Sequence, residues 1–290
     1  MSKTKKCVIS LDVGGTNIGF GILNEDLEVV GAFGSVESNS GSSQEVILSS
    51  FNAVIARLVK LVEQNNFTAA ACSIAFPDPF DYKTGTPLMK QKFQALYGLD
   101  MRSALQTKHH VPILFLNDAV AFGYGVRDKY FADSPEKLVA ITLGTGLGAA
   151  FSSGGAVTNL SIWDAVYQAG ILEDYISARM ITSAYKNATG QSQTVEHIAE
   201  LALKGNAAAM KVFEEFGNNI GEGLAATTAE LSPGVIVCGG AISKSFKLFG
   251  EIAQHAFQQK TGQSVKFQAV EDPHTSLFGA AAYAFETLSS

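Results

Sequence analysis

Two short glycine-rich turns hold the first suggestion of chemistry. Residues 11–23 read LDVGGTNIGFGIL and residues 142–151 read TLGTGLGAAF. In each, an apolar run with strand character enters a glycine turn and a second strand-like run leaves it. Glycine lets the backbone take φ > 0 and lets a ligand approach closely. Consecutive amides in such a turn form a concavity for an anion without any helix terminus. Gly14, Gly15 and Thr16 make the first turn, where Thr16 and Asn17 can add side-chain donors. Gly144, Thr145 and Gly146 make the second. A single Gly-Gly between strands reads equally as an ordinary hairpin turn. Its repetition downstream favours phosphate, since two nests facing each other across a cleft would grip a nucleotide from both sides.

Further residues carry groups suited to the same task. Asn117 and Asp118 close the apolar run LFLN and open DAVAFGYG. Asn and Asp cap helices well, which is one account of the pair. The other is catalytic: a carboxylate on the floor of a cleft can take the proton of a hydroxyl that attacks phosphorus. Position alone does not choose between them. Asp12 ends an apolar strand and directly precedes the first turn. A buried carboxylate there is costly unless turn amides or a Mg2+ ion, held directly or through water, satisfy it. Asp12 is accordingly the expected magnesium ligand. Gly239 and Gly240, in CGGAIS, lie between a strand and a helix that starts near Ser243. They read either as a tight structural turn or as a place where a flat purine lies close against the backbone.

These residues need elements to position them. CVISLDV (7–13) reads as a strand, the alternation of Ile18, Phe20 and Ile22 as a second, and LEVVGAF (27–33) as a third in a meander. Ser42 and Glu45 have capping-box spacing before a helix with Ile47, Phe51, Val54, Ile55, Leu58, Leu61 and Val62 on one face. TAAACSIAF (68–76) and VPILFLND (111–118) read as strands, the second preceded by a helix over MRSALQTKH. Between them residues 77–98 form a long irregular excursion, of a length that is often functional. The pattern then restarts with a strand at 138–144, a glycine turn and a strand at 147–155. Helices follow near 170–188, 194–204 and 206–231, then a strand at 234–240, a helix, the strand SVKFQAV and a closing helix. Meanders alternating with helices, written twice, predict an α/β protein of two similar halves. The expected division is a small N-terminal lobe over 1–118, on which the closing helix 275–290 packs back, and a larger C-terminal lobe over 119–274.

The bulk numbers narrow the partners. Of 290 residues, 47% are hydrophobic and 17% charged, enough for two packed lobes. The formal charge is −6 and the pI about 5.4, with no basic block, so no nucleic-acid partner is expected. Apolar stretches are short, so no membrane span is expected. The basic start MSKTKK leads into VISLDVGG, too short and too acidic for a signal-peptide core. Cys7, Cys72 and Cys238 sit in apolar, strand-like runs without CxxC spacing and read as buried thiols in a reducing, cytoplasmic compartment. The five histidines have no zinc spacing with them.

Taken together, LDVGGTNIGFGI, FPDPFDYKTG, LNDAVAFGYG, TLGTGLGAAF and PGVIVCGGAIS occur in the order and spacing of the ROK sugar kinases. The chain resembles that family over nearly its whole length. The resemblance implies a two-lobed actin-like ATPase (ribonuclease H-like) fold, each lobe a mixed sheet flanked by helices. It implies that both glycine turns hold ATP phosphates and that Gly239 and Gly240 border the adenosine. Asp118 would be the catalytic base, Asn117 would contact the sugar, and a homodimer is plausible by the same likeness. The family also includes repressors with an N-terminal helix-turn-helix. With the first strand beginning at Cys7 there is no room for one, so DNA binding is not expected.

The sequence also departs from the family pattern. Typical members carry Gly-Glu-Ile-Gly-His and a cysteine cluster that binds structural zinc. The corresponding stretch, AVTNLSIWDAVYQAGILEDYISARM (156–180), contains no His or Cys, so zinc is not expected. Gly170, Glu173 and Ser177 match Gly-x-x-Glu-x-x-x-Ser, whose Glu contacts sugar hydroxyls in the family. Trp163 and Asp164 stand near the lost groups, Trp163 either as a stacking face or as core packing. Pro-Gly-Pro is altered to Pro77-Asp78-Pro79, and Asp78, Lys90 and Lys92 are expected to reshape the substrate side. The resemblance implies a kinase that uses ATP and Mg2+ to phosphorylate a hexose or N-acetylhexosamine. A non-catalytic sugar or nucleotide sensor, or a kinase with a non-sugar acceptor, are the alternatives.

Overall fold

The computed structural model of the chain describes residues 5–132, 134 and 136–289. Met1–Thr4, the start of the basic run, and Ser290, the end of the expected closing helix, lie outside the described residues. The chain forms two units, residues 1–130 with 274–290, and residues 131–273.

In the first unit β1 (Lys5–Val13), β2 (Asn17–Asn24) and β3 (Gly34–Glu37) form an antiparallel meander, and α1 (Gln44–Gln64) leads to β4 (Phe67–Phe76). A small hairpin of β5 (Phe80–Asp81) and β6 (Thr86–Pro87), then α2 (Met101–His109), precede β7 (Ile113–Asn117) and α3 (Asp118–Tyr130). The sheet order is β3-β2-β1-β4-β7, with β1, β4 and β7 parallel. In the second unit β8 (Leu138–Leu143), β9 (Leu147–Ser152) and β10 (Val157–Asn159) repeat the meander. A hairpin of β11 (Val166–Tyr167) and β12 (Gly170–Ile171) follows, then α4 (Leu172–Tyr175), α5 (Ala178–Thr189), α6 (Val195–Leu203) and α7 (Ala207–Thr228). β13 (Val235–Gly239), α8 (Gly250–Thr261) and β14 (Lys266–Ala269) complete the unit, and α9 (Thr275–Ser289) belongs to the first. The second sheet has the order β10-β9-β8-β13-β14, with β8, β13 and β14 parallel. Each unit is thus one meander extended by two parallel strands, the repetition that the sequence pattern predicts.

Packing explains why β1 is nearly continuous in apolar residues. Cys7, Ile9, Leu11 and Val13 join the core beneath α1, while Val8 joins Phe278 and Ala281 of α9 on the other face. A strand covered on both faces needs no polar alternation. α1 contributes Ile47, Phe51, Val54, Ile55, Leu58 and Val62, with Leu61 only partly buried. Each such side chain stabilises by roughly 1.5–3 kcal/mol through burial.

Several boundaries differ from the sequence pattern. The third strand lies at Gly34–Glu37, not 27–33. Asn24 Oδ1 accepts from the amides of Asp26 and Glu28, and Leu27 and Gly31 take positive φ, so this stretch turns instead of extending. The N-cap of α1 is Ser43, not Ser42, and its side chain makes no capping bond. The helix expected over 170–188 breaks at Ile176 and restarts from Ser177. Residues 241–248 form a 3-10 helix ahead of α8. The unit boundary falls at 130/131, not 118/119, because α3 packs on α9 almost backbone to backbone. A Cβ on Gly279 would stand 1.7 Å from Ala121 O. The two units are therefore close to equal in length. Among the described residues, no helix is long and apolar enough to cross a membrane.

Candidate active site

The turn between β1 and β2 is closed by Gly14 N–H, which donates to Asn17 O at 2.8 Å. The loop after β3 holds it in place. Ser38 Oγ donates to Gly15 O at 2.8 Å, Ser40 Oγ donates to the same oxygen, and Ser38 N–H donates to Thr16 O at 2.9 Å. Among the described residues, neither Gly15 N–H nor Thr16 N–H has a protein acceptor. Adjacent free amides on a fixed turn are what an anion nest requires.

At the end of β7 the helix-capping account falls to Asn117. Asn117 Oδ1 accepts from Ala119 N–H at 2.9 Å and Val120 N–H at 3.1 Å, so Asn117 caps α3. Its Nδ2 donates to Asp78 Oδ2 at 2.8 Å and to the Tyr82 hydroxyl at 3.2 Å. A carboxamide offers two donors and two lone pairs, and the protein engages all four. A sugar hydroxyl would have to displace a protein partner to bond Asn117. Asp118 is half-buried, and its Oδ1 accepts from Ala119 N–H at 2.8 Å. Burial raises its pKa to about 6; the Ala119 amide opposes the rise, Asp78 adds to it and Lys92 opposes it. Asp12 is raised to about 7, by burial first and then by Asp118. Among the described residues nothing donates a hydrogen bond to the Asp12 carboxyl.

The excursion over 77–98 is irregular but anchored. Phe80, Met89, Phe93 and Leu96 are buried, and the Phe76 ring centroid lies 4.7 Å from that of Phe80 and 5.2 Å from that of Phe93. The Tyr82 hydroxyl lies 2.9 Å from both Phe76 O and Asp78 Oδ1. Burial, then Asp78, pushes its pKa up. Exposed Asp78 is thereby tied to Asn117. Lys92 lies along Gly15, where a Cβ would meet its Cδ and Cε at 3.2 Å. Tyr82, Ser38 and Ser40 are residues around the candidate site that sequence reasoning missed. The only signal for Tyr82 is its place four residues after Asp78, and the serines lie in the uninformative run SNSGSS.

The second unit gathers its own set. Gly144 N–H donates to Gly146 O at 3.1 Å, and Ala178 N–H donates to Gly144 O at 2.8 Å. The amides of Thr145 and Gly146 have no acceptor among the described residues. Glu173 Oε2 accepts from Leu147 N–H at 3.0 Å, and a Cβ on Gly146 would stand 2.7 Å from the same oxygen. Glu173 N–H in turn donates to Trp163 O at 3.0 Å. The Trp163 side chain is 41% exposed and Asp164 is exposed beside it, so the indole is not part of the core. Ser177 is fully buried at the start of α5. Gly240 has φ +85 and a Cβ there would stand 2.4 Å from Leu143 O, which gives the tight-turn account of CGGAIS a structural basis. Gly239 pairs with Thr142 at the end of the sheet.

Among the described residues, no group of three or more His, Cys, Asp or Glu could hold a metal ion. The three cysteines are free and buried, and burial raises their pKa, that of Cys7 to about 12. Such thiols are inert.

Two α/β units of one topology, each with a glycine turn after its first strand, define an actin-like, ribonuclease H-like ATPase fold. The model of the ROK family matches residues 8–159 and 168–287, and the chain belongs to that family. The unmatched residues 160–167 include Trp163 and Asp164. The ROK hexokinase of Thermus thermophilus superimposes with a TM-score of 0.82 at 19% identity, covering 98% of this chain and 99% of that one. A ROK family glucokinase from Streptomyces griseus, in complex with glucose and AMPPNP, gives 0.78 at 21% identity over 97% and 99%. An N-acetyl-D-glucosamine kinase from Vibrio parahaemolyticus is 27% identical over 268 residues, 83% of this chain and 85% of its own length.

Proposed function

We propose that the protein is an ATP-dependent kinase that phosphorylates a hydroxyl of a hexose or N-acetylhexosamine. The observation that carries this reading is Asp118, a half-buried carboxyl of raised pKa at the end of β7, in the same unit as the unpaired amides of Gly15 and Thr16. Asp118 takes the proton of the attacking hydroxyl, and the turn amides receive phosphate oxygens. Catalysis of this kind is mainly positioning and electrostatic stabilisation. The amides of Thr145 and Gly146 serve the nucleotide phosphates from the second unit, and Gly239 and Gly240 border the adenosine. Glu173, with Oε1 beyond its bond to Leu147, accepts from sugar hydroxyls, and Trp163 offers an exposed face to the sugar. Asp78 is the acceptor that reaches solvent where Asn117 is engaged by the protein.

Asp12 fits Mg2+, because it is a desolvated carboxyl with a raised pKa and no protein donor. A bound Mg2+ supplies charge neutralisation to the phosphates. The buried free thiols support a cytoplasmic location. The test is a panel of hexoses and acetylated amino sugars with ATP and Mg2+, following ADP and sugar phosphate together. Equal yields of the two with at least one sugar are expected. Sugar binding by calorimetry without ADP release would replace the kinase by a sensor. ADP release with acetate and not with sugars would replace the acceptor.

A further inference from the structure

We propose that Lys92 is a further catalytic residue of the first unit, its ammonium meeting the oxygens of the transferring phosphoryl group; this rests on the kinase reading above. The placement is built into the fold. Phe93 is fully buried and takes a left-handed backbone, φ +50, which side chains rarely adopt without a surrounding structure that enforces it. Its N–H donates to Ser40 O at 3.0 Å, and the Ser40 hydroxyl holds Gly15 O. One short chain of contacts therefore fixes the glycine turn and the residue next to Lys92 on the same frame. The stem of Lys92 then lies over Gly15, with Nζ 3.4 Å from where a Cβ would stand. A side chain at position 15 would press on this stem.

The ammonium is also free. Among the described residues no carboxylate pairs with Lys92, and it lowers the pKa of Asp118. Lys90, by contrast, lies over the Tyr97 ring at 5.5 Å. Asp12, Asp78 and Asp118 make this part of the unit negative, and a nucleotide adds more negative charge. A cation with three donors beside the unpaired amides of Gly15 and Thr16 answers that charge. In the step it serves, the sugar oxygen bonds to the γ-phosphorus and the bond from that phosphorus to the β,γ-bridging oxygen breaks. The hydroxyl proton passes to Asp118 and ADP leaves.

The test compares wild type, Lys92→Met and Lys92→Arg. Lys92 is exposed, so folding is not at stake. With saturating sugar and MgATP, Lys92→Met should lower kcat about 10²-fold, as for the loss of one transition-state donor. Sugar KM should stay nearly unchanged, the acid limb of the pH profile should move to higher pH, and Lys92→Arg should recover most of the loss. A kcat near wild type, or a loss confined to sugar KM, overturns the proposal. Calorimetry with tripolyphosphate needs no sugar and reads the contact alone. Lys92→Met should weaken binding about tenfold, and unchanged affinity overturns the contact even if no sugar is ever turned over. Failure of wild type to release ADP with any sugar would count against the kinase reading and leave the tripolyphosphate result to decide Lys92.

Discussion

The turn after β1 and the turn after β8 have the same length and the same place in the same sheet topology, yet their neighbours carry opposite charge. Gly14–Thr16 is held through its carbonyls by Ser38 and Ser40, with Lys92 lying along it. Gly144–Gly146 has the Glu173 carboxylate against it. A cation beside free amides strengthens their hold on an anion, whereas a carboxylate beside them weakens it and can also accept from hydroxyls. The duplicated frame therefore supports two different jobs. On the proposed reading, the first unit would hold groups for phosphoryl transfer, and the second would hold amides together with an acceptor for a polyhydroxy ligand.

The sharpest test of that division compares Asp118→Asn with Glu173→Gln. Asp118→Asn should lower kcat by at least about 10²-fold, within the range of a lost general base, while nucleotide affinity by calorimetry stays within a few-fold. Because the base must be ionised and its pKa is raised to about 6, wild-type kcat/KM should fall as pH drops below 6. Glu173→Gln should act mainly on sugar KM and leave most of kcat. Equal losses of kcat in the two variants would break the division of labour between the turns.

How far the sequence reaches can be seen at the same places. The glycine turns are legible as turns because the pattern strand, glycine, strand occurs twice, and the end of β7 because an Asn-Asp pair closes an apolar run. The two meanders are legible by period, and both sheets have the repeated topology that follows. The third strand is misplaced because LEVVGAF has strand composition, whereas the Asn24 side chain and the positive φ of Leu27 and Gly31 turn it. That competition between local side-chain bonds and extended backbone leaves no mark in hydropathy. The Tyr82, Asp78 and Asn117 network is hidden for a different reason. It joins residues far apart in the chain, and only the burial of Phe80 and Phe93 brings that excursion to the end of β7.

A second contrast sets Asp12 apart from Glu173, which has a backbone donor. Folding raises the Asp12 pKa from 3.8 to about 7, so this group favours the folded state most below pH 4 and that contribution is lost as pH rises through 7. Every tenfold difference in acidity between the folded and unfolded chain corresponds to about 1.4 kcal/mol. Asp12→Asn should therefore raise the melting temperature of the nucleotide-free protein by several degrees at pH 8 and by less at pH 5. Mg2+ should stabilise wild type at pH 8 more than the variant. A gain that is the same at both pH values would mean that the Asp12 carboxyl is satisfied in a way the hydrogen bonds do not reveal, and it would make the first turn resemble the second.

Tyr82→Phe should have the smallest effect. A tyrosine hydroxyl has one proton, so it donates to either Phe76 O or Asp78 Oδ1 at a given moment while accepting from Asn117 Nδ2. Without it, Asn117 keeps its 2.8 Å bond to Asp78 and both bonds to the start of α3. The expected loss is about 1 kcal/mol of stability, the net value of one hydrogen bond, seen as a lower midpoint in urea. Because Asp78 would lose one restraint while Asp118 keeps its helix, sugar KM should rise a few-fold with kcat nearly unchanged. A fall in kcat comparable to that of Asp118→Asn would mean that the orientation of the base depends on this hydroxyl, and the reacting unit would then extend to the anchored loop as well as the glycine turn.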